Sequence, residues 1–385
     1  MTLGALALVI LVGLAGPLLA GPERLRLPVV VGEILAGVAV GRTGFGWVHA
    51  DDAVLTFLAT AGFALVMLMA GSHVPVKDPR LRSQLRRGVL LALGTGVLAL
   101  PAGLGIAALA GTGHGPLYAV LLASSSAALV MPAVDGAGLS GPTVTAALVH
   151  VAVADTCCIV ALPLVEDPGR AAAAALGAAA VIAAGAVVLL VALVVGRSRT
   201  WRRLQKVSKR RHLGLELRWN LILLFALAGL AQAVGISVML AGFVAGLALA
   251  AQGQPRRLAR QLFSVSDGFL SPVFFVWLGA GLDLRVLGDH PRMLVFAAVL
   301  AAATVALHAC ARLVGQPLPL ALLAGAQLGV PVAAVTVGTR NGLLVPGEGG
   351  AIVLAALVSV AVTAVASRAA ARLRPDTDTD AARTG

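Results

Sequence analysis

Residues 149–160 read VHVAVADTCCIV, and this stretch decides the fold of the chain. It places one carboxylate, Asp155, near the middle of an apolar segment that runs from about Thr143 to Val165. An apolar segment of this length is typical of a transmembrane helix. A charge near the bilayer midplane costs about 2.5–3.5 kcal/mol on insertion scales, so an acid in that position is a candidate functional residue.

The composition indicates a membrane protein along nearly the whole chain. Of its 385 residues, 59% are hydrophobic and 12% are charged, whereas soluble domains carry roughly 25% charged residues. The net charge of +12 comes from basic residues in short segments between apolar stretches, without interleaved aromatic residues, so we expect no nucleic-acid partner. The three cysteines lack metal-ligand spacing, and we expect no resident metal and no cofactor.

Apolar windows long enough to span a bilayer recur along the sequence. They predict an all-α polytopic membrane protein that is embedded in the lipid bilayer. The thirteen predicted helices lie at about 2–20, 28–47, 53–73, 88–111, 115–134, 143–165, 171–196, 214–233, 236–252, 265–284, 292–314, 317–342 and 348–370.

The distribution of Lys and Arg predicts the orientation. Basic residues cluster after the odd-numbered helices, most densely at 197–211, and are sparse after the even-numbered helices. Because basic loops stay in the cytoplasm, we expect an outer N-terminus and a cytoplasmic C-terminus in a multi-pass protein of the cell (inner or plasma) membrane. The polar tail at 375–385 is expected to be disordered.

The sequence also repeats weakly. Gly32–Gly41 in the second helix resembles Val238–Gly246 in the ninth, and Met67–Gly71 in the third resembles Trp277–Gly281 in the tenth. The two resemblances are shifted by seven helices. Successive helices cross the membrane in alternating directions, so an odd shift means that the two halves have opposite orientations. We predict one transmembrane domain over 1–374, with helices one to six and eight to thirteen as inverted repeats. The seventh helix and a basic loop at 197–213 connect them. Inverted repeats with discontinuous helices are typical of secondary transporters.

The repeat predicts that the fifth and twelfth helices are both discontinuous. The fifth contains Ser124, Ser125 and Ser126 before Pro132, so hydroxyl groups are available to bond any backbone freed by a break. The twelfth is interrupted by glycines and a proline, and we expect its break near Gly329–Pro331. Ordinary proline kinks and packing of small residues are the alternative interpretation.

Asp155 follows the fifth helix directly and is expected to lie beside its break. A transporter of protons or small cations needs an acid that is alternately protonated and ion-bound, and Ser124, Ser125 and Ser126 would complete the site. The alternative is a structural acid that pairs with the broken backbone. Further candidates for the pathway, or for partners of Asp155, are His150, Thr156, His308, Glu33, Gly329 and Pro331. Of these, His308 is a possible partner for Asp155, and Glu33 could instead cap its helix or snorkel.

These residues resemble the monovalent cation:proton antiporter superfamily, the sodium/hydrogen exchanger-like membrane domain, from about Pro28 to Arg368. The resemblance rests on Val30–Gly44, Ala123–Pro132, Val153–Asp155 with Pro163, Met239–Leu249 and Ser271–Gly279. It implies a homodimer in which a six-helix core domain moves against a dimerisation domain. It also implies that Asp155 and the three serines bind a transported cation or proton, with no metal beyond a transported alkali cation.

The chain departs from the family pattern at several core positions. Ala154 stands where relatives carry Asn, Asp or Gln, and the eleventh helix offers Ala303 or Thr304 in place of a basic residue. Leu328-Gly329-Val330 replaces Arg-Gly-Glu, and His73 replaces a glutamate.

The favoured function is Na⁺ or K⁺:proton antiport through a midplane aspartate by alternating access. A diverged transporter of another ion or an organic solute, in export or resistance, is the alternative. A non-transporting membrane protein or a membrane enzyme is less favoured, because no catalytic dyad or nucleotide motif occurs.

Overall fold

The computed structural model describes residues 1–21, 28–72, 79–166, 168–211, 213–252 and 256–372, apart from some side chains within these ranges. The described residues are helical or irregular, without β-strands. Two features named from the sequence lie outside the described residues. They are the tail at 375–385, which is expected to be disordered, and His73, which stands where the family pattern has a glutamate.

Nineteen α-helices are present in the described part of the chain. Short 3₁₀ or π turns lie next to several of them. The helices are α1 (Leu3–Gly13), α2 (Ala15–Ala20), α3 (Val29–Val40), α4 (Ala53–Ser72), α5 (Pro79–Ala110), α6 (Gly115–Ala123), α7 (Ala127–Gly136), α8 (Pro142–Glu166), α9 (Ala171–Arg197), α10 (Arg199–Arg211), α11 (Leu215–Ala233), α12 (Val238–Gln252), α13 (Arg256–Val265), α14 (Ser271–Gly281), α15 (Arg285–Asp289), α16 (Pro291–Ala309), α17 (Leu318–Leu323), α18 (Gly329–Arg340) and α19 (Glu348–Ala370).

The helices confirm a polytopic membrane protein. Within the described ranges, nine helical segments are long and apolar enough to cross a bilayer, and three shorter apolar helical segments accompany them. The short ones correspond to the predicted second, fifth and ninth helices, and α17 with α18 forms the predicted twelfth. The predicted first helix is divided at Leu14 into α1 and α2.

The fifth and twelfth helices are discontinuous, as the sequence predicts. Residues 124–126 are extended between α6 and α7, and residues 324–328 leave the helical path between α17 and α18. The second break therefore precedes the predicted position, Gly329–Pro331, which forms the first turn of α18. Pro331 fits there because the first N–H groups of a helix have no partner inside it.

The connector also differs from its prediction. The basic segment at 197–213 was expected to be a loop, but residues 199–211 form α10. This segment is rich in Arg and Lys, which favour helix, and it contains neither glycine nor proline between residues 199 and 211.

The described chain divides into two compact units. The first contains Met1–Lys77, Ile159–Phe296 and Gly329–Leu354, and the second contains Asp78–Cys158, Ala297–Leu328 and Ala355–Gly385.

Close glycine contacts hold the first unit together. A side-chain carbon at Gly246 of α12 would overlap the backbone of Leu68 and Gly71 in α4. A carbon at Gly279 of α14 would likewise overlap the backbone of Ile34 and Gly37 in α3. Small residues at such contacts let helix backbones approach closely in membranes. The second helix thus packs on the tenth and the third on the ninth, which are equivalent pairs under the inverted repeat.

The second unit has an aliphatic core that supports both breaks. Buried residues of α7, α8 and α17, of the second break at 324–328 and of the C-terminal part of α19 pack together in this core. They are Ala127, Val130, Val134, Val144, Ala147, Val151, Leu320, Leu323, Ala324, Ala326, Ala366 and Ala370. This packing places Asp155 of α8 on the same unit as both breaks.

Candidate functional site

The site is built on the break at 124–126. Ser124 has extended φ and ψ angles, and its hydroxyl donates to the Leu121 carbonyl at 2.7 Å. The carbonyl of Ser126 accepts from the N–H groups of Leu129 and Val130, so Ser126 caps the start of α7. All three serines are buried. Their hydroxyl and carbonyl groups allow the backbone to leave the helical path without losing its hydrogen bonds.

Asp155 binds the beginning of α7. The backbone N–H of Ala127, the first residue of α7, donates to Oδ2 of Asp155 at 3.0 Å. Asp155 is 4% exposed. The N-terminus of a helix carries a partial positive charge that stabilises a carboxylate. The structure therefore places the predicted acid beside the predicted break, and the charge of Asp155 faces a positive helix end.

The two breaks contact each other through Ser125. Its hydroxyl donates to the carbonyl of Ala324 at 2.6 Å. Ala324 directly follows α17, whose C-terminal carbonyls carry a partial negative charge. Ser125 thus satisfies a buried carbonyl of the second break with a neutral donor.

Gln327 is a site residue that the sequence analysis missed. Its side-chain N–H₂ lies 3.4 Å from the carbonyls of both Leu122 and Ser124, at the C-terminal end of α6. Its backbone N–H donates to the hydroxyl of Ser359 at 3.1 Å. The available signal was a polar residue in an apolar segment, close to the expected break at Gly329–Pro331. Gln327 directly precedes Leu328-Gly329-Val330, the three residues that stand in place of Arg-Gly-Glu.

These contacts give the site a simple electrostatic character. The C-terminal ends of α6 and α17 meet neutral donors, Gln327 and Ser125, while the positive end of α7 meets Asp155. No Lys or Arg forms an ion pair with Asp155 in the part of the chain that the structure describes. The ionised site therefore carries one negative charge, which one proton or one monovalent cation would neutralise.

His308, named from the sequence as a possible partner of Asp155, lies against His150 in the structure. Their nearly parallel rings have centroids 5.8 Å apart, and both side chains are buried. Nδ1 of His308 lies 3.0 Å from the Thr304 carbonyl, which only accepts, so Nδ1 must carry the proton. Nε2 of His150 lies 3.4 Å from the Thr95 hydroxyl.

No hydrogen bond between Asp155 and the remaining candidates is found in the described part of the chain. The hydroxyl of Thr156 bonds its own helix, at the Ala152 carbonyl. Glu33, Gly329 and Pro331 belong to the first unit, whereas Asp155, the three serines, His150 and His308 belong to the second.

Removing the Ser125 hydroxyl should destabilise the second unit. We expect Ser125→Ala to lower the free energy of unfolding by about 1–3 kcal/mol, because the buried Ala324 carbonyl loses its donor. Ser124→Ala is the matched control: the Leu121 carbonyl keeps the Ser124 N–H at 3.1 Å, so we expect a loss below about 0.5 kcal/mol. Thermal unfolding of both variants in one detergent measures the difference. Equal losses would show that the contact between the breaks contributes nothing.

Comparison with known proteins gives a family match over nearly the whole chain. The family described as "Sodium/hydrogen exchanger, transmembrane" matches residues 7–370. The chain is also similar to the sodium proton antiporter MjNhaP1 from Methanocaldococcus jannaschii, solved at pH 8, with a TM-score of 0.67 and 18% identity. That similarity covers 95% of this chain and 97% of the other. At this identity it supports the fold.

A curated relative matches over a shorter region. The putative Na⁺/H⁺ antiporter YjbQ of Bacillus subtilis (strain 168) is 25% identical over 158 residues. The match covers 37% of this chain but only 24% of the Bacillus protein. The chain therefore spans about a quarter of the length of this relative.

Proposed function

Because the chain belongs to the sodium/hydrogen exchanger family, we propose that it is a secondary transporter exchanging a monovalent cation, Na⁺ or K⁺, for protons. The family and the structural neighbour are transporters, so the chain is not an enzyme. The neighbour's description as a sodium proton antiporter supports cation and proton as the two substrates.

The position of Asp155 carries this proposal. Asp155 is buried in a spanning helix and bonds the N-terminus of a half-helix, with hydroxyls and backbone carbonyls of a break nearby. A carboxylate with such oxygen neighbours can hold either a proton or a dehydrated alkali cation, and half-helix ends at a midplane break are recurrent ion-binding elements. Competition of the two ions for Asp155 couples their movements.

The site charge gives the proposed stoichiometry. One ionised acid without a fixed cation binds one proton or one monovalent cation, so we propose electroneutral one-for-one exchange by alternating access. Ser124, Ser125 and Ser126 would supply hydroxyl or carbonyl oxygens to the cation. His150, His308, Thr156, Gly329 and Pro331 remain proposed pathway residues, whereas we propose that the buried acid Glu33 does not carry the exchange.

The proposal includes the membrane arrangement. Basic segments after the odd-numbered helices support a cytoplasmic C-terminus and an outer N-terminus in the cell membrane. Helices one to six and eight to thirteen form the proposed repeats, joined by α9 and α10. The family resemblance supports a homodimer.

Proteoliposomes test the function. Purified protein in vesicles with an internal pH indicator should give proton efflux when Na⁺ or K⁺ is added outside, and none when choline is added. The Na⁺-driven flux should be the same with and without valinomycin in matched K⁺, because electroneutral exchange generates no membrane potential that would oppose it. Absence of a response to Na⁺, K⁺ and Li⁺ would contradict the proposal and favour a transporter of another solute.

A further inference from the structure

The first unit contains a cavity that the proposed exchange does not use. It has a volume of about 310 Å³, which lies at the small end of the range for ligand pockets, about 300–1,000 Å³. It is lined by parts of α4, α12, α14 and α18 and by the segment between α11 and α12. Its lining side chains include Phe63, Ser237, Phe274, Trp277 and Arg340.

Three of the lining residues are aromatic. Phe63 and Phe274 are buried and stack on each other with ring centroids 4.7 Å apart, and the ring of Trp277 lies 6.2 Å from that of Phe274. The indole N–H of Trp277 is fixed by the Ala50 carbonyl at 2.9 Å. Trp277 is partly exposed, so its indole is the ring available to pack against a flat apolar ligand.

The rim of the cavity is positive. Arg340 is exposed, and no carboxylate is among the lining residues of the described chain. No ion pair engages Arg340 within the described ranges. A guanidinium with free N–H groups matches the two oxygens of a carboxylate.

Three helix ends line the cavity, and each is capped within the chain. The N-terminus of α12 lines it at Ser237 and Val238, and the Ser237 hydroxyl accepts a hydrogen bond from the N–H of Met239 at 3.2 Å. The opposing C-terminal ends of α11 and α18 are capped by their own backbones. The N–H of Ile236 donates to the Ala231 carbonyl, and the N–H of Leu343 donates to the Gly338 carbonyl.

We propose that this cavity binds a small arylcarboxylate, with the carboxylate at Arg340 and the ring against the indole of Trp277. The rim cation disfavours a positively charged ligand, and the small volume excludes a large one. The thirteen lining residues include neither Asp155 nor the serines of the break, so the site is distinct from the proposed ion site. The inference therefore goes beyond the proposed function and does not depend on it.

Binding of radiolabelled benzoate to protein in phosphatidylcholine nanodiscs tests the site. Wild-type protein should bind benzoate saturably, and Arg340→Gln should weaken binding roughly tenfold or more, because a charge-assisted contact is lost. Arg340→Lys should retain part of the affinity. Arg292→Gln, at an exposed arginine in the first turn of α16, should leave binding unchanged.

Competitors and a second variant define the chemistry. Benzamide and benzylammonium should compete at least roughly tenfold less well than unlabelled benzoate, and Trp277→Leu should weaken binding. Asp155→Asn should bind benzoate like the wild type, so failure of the exchange proposal leaves this test intact. Absent saturable binding, equal binding to Arg340→Gln, or equal competition by benzylammonium would overturn the inference. Displacement of benzoate only when the nanodiscs contain anionic phospholipid would assign the cavity to a lipid headgroup and overturn it too.

Discussion

Asp155→Asn is expected to reduce cation-driven proton flux to the level of protein-free vesicles. Asn has nearly the same shape, and its Oδ1 can still accept the Ala127 N–H that Asp155 binds at 3.0 Å. The start of α7 should therefore remain capped and the protein folded. Asn neither releases a proton at accessible pH nor carries a charge for a cation. Losing about 3 kcal/mol of cation binding corresponds to a decrease of at least roughly a hundredfold in affinity.

A second buried acid provides the matched control for this experiment. Glu33 of α3 is 3% exposed, but it belongs to the first unit rather than to the break that holds Asp155. We expect Glu33→Gln to retain most of the flux in the same vesicles. Flux that survives Asp155→Asn, or that disappears only in Glu33→Gln, would assign the exchange to a different acid.

Gly246→Ala is expected to cause a large loss of stability in the first unit. The added carbon would overlap the Leu68 carbonyl and the backbone of Gly71, neither of which can rotate away. Overpacking of this kind costs about 1–3 kcal/mol and sometimes more. We expect the same effect for Gly279→Ala, because Gly279 makes the equivalent contact with Ile34 in the other helix pair.

Gly229→Ala in α11 separates this packing effect from helix propensity. A carbon at Gly229 would meet no atom within 4 Å. Alanine is favoured over glycine in a helix by about 1 kcal/mol, so this change should be neutral or stabilising. Thermal unfolding followed by circular dichroism in one detergent compares the three variants. If Gly246→Ala unfolds at the same temperature as Gly229→Ala, the close helix contact does not stabilise the unit.

The sequence predicted the features that depend on local composition. The length of the apolar segments and their low charge predicted the spanning helices. Ser124–Ser126 before Pro132 predicted the first break, because hydroxyl groups can bond the backbone groups that a break frees. The odd shift between the repeats predicted a matching break in the twelfth helix. The acid in 149–160 was expected to lie beside the first break, and the bond from Ala127 shows that it does.

The features that escaped prediction depend on contacts between distant residues. Gln327 bonds carbonyls some two hundred positions earlier in the chain, at Leu122 and Ser124, and no local pattern reports that approach. The same applies to His150 and His308, whose pairing depends on how α8 lies beside α16. The second break was placed too late because glycine and proline mark helix starts as well as interruptions.

The central claim is that one proton and one cation compete for Asp155. The most direct test is to measure whether cation binding releases a proton. Purified protein in weakly buffered detergent solution with a pH indicator is mixed with NaCl or KCl, and choline chloride serves as the reference for ionic strength. We predict release of about one proton per chain from the wild type at a pH where Asp155 is protonated, and none from Asp155→Asn. Equal release from both proteins, or none from the wild type with either cation at any pH, would contradict the account.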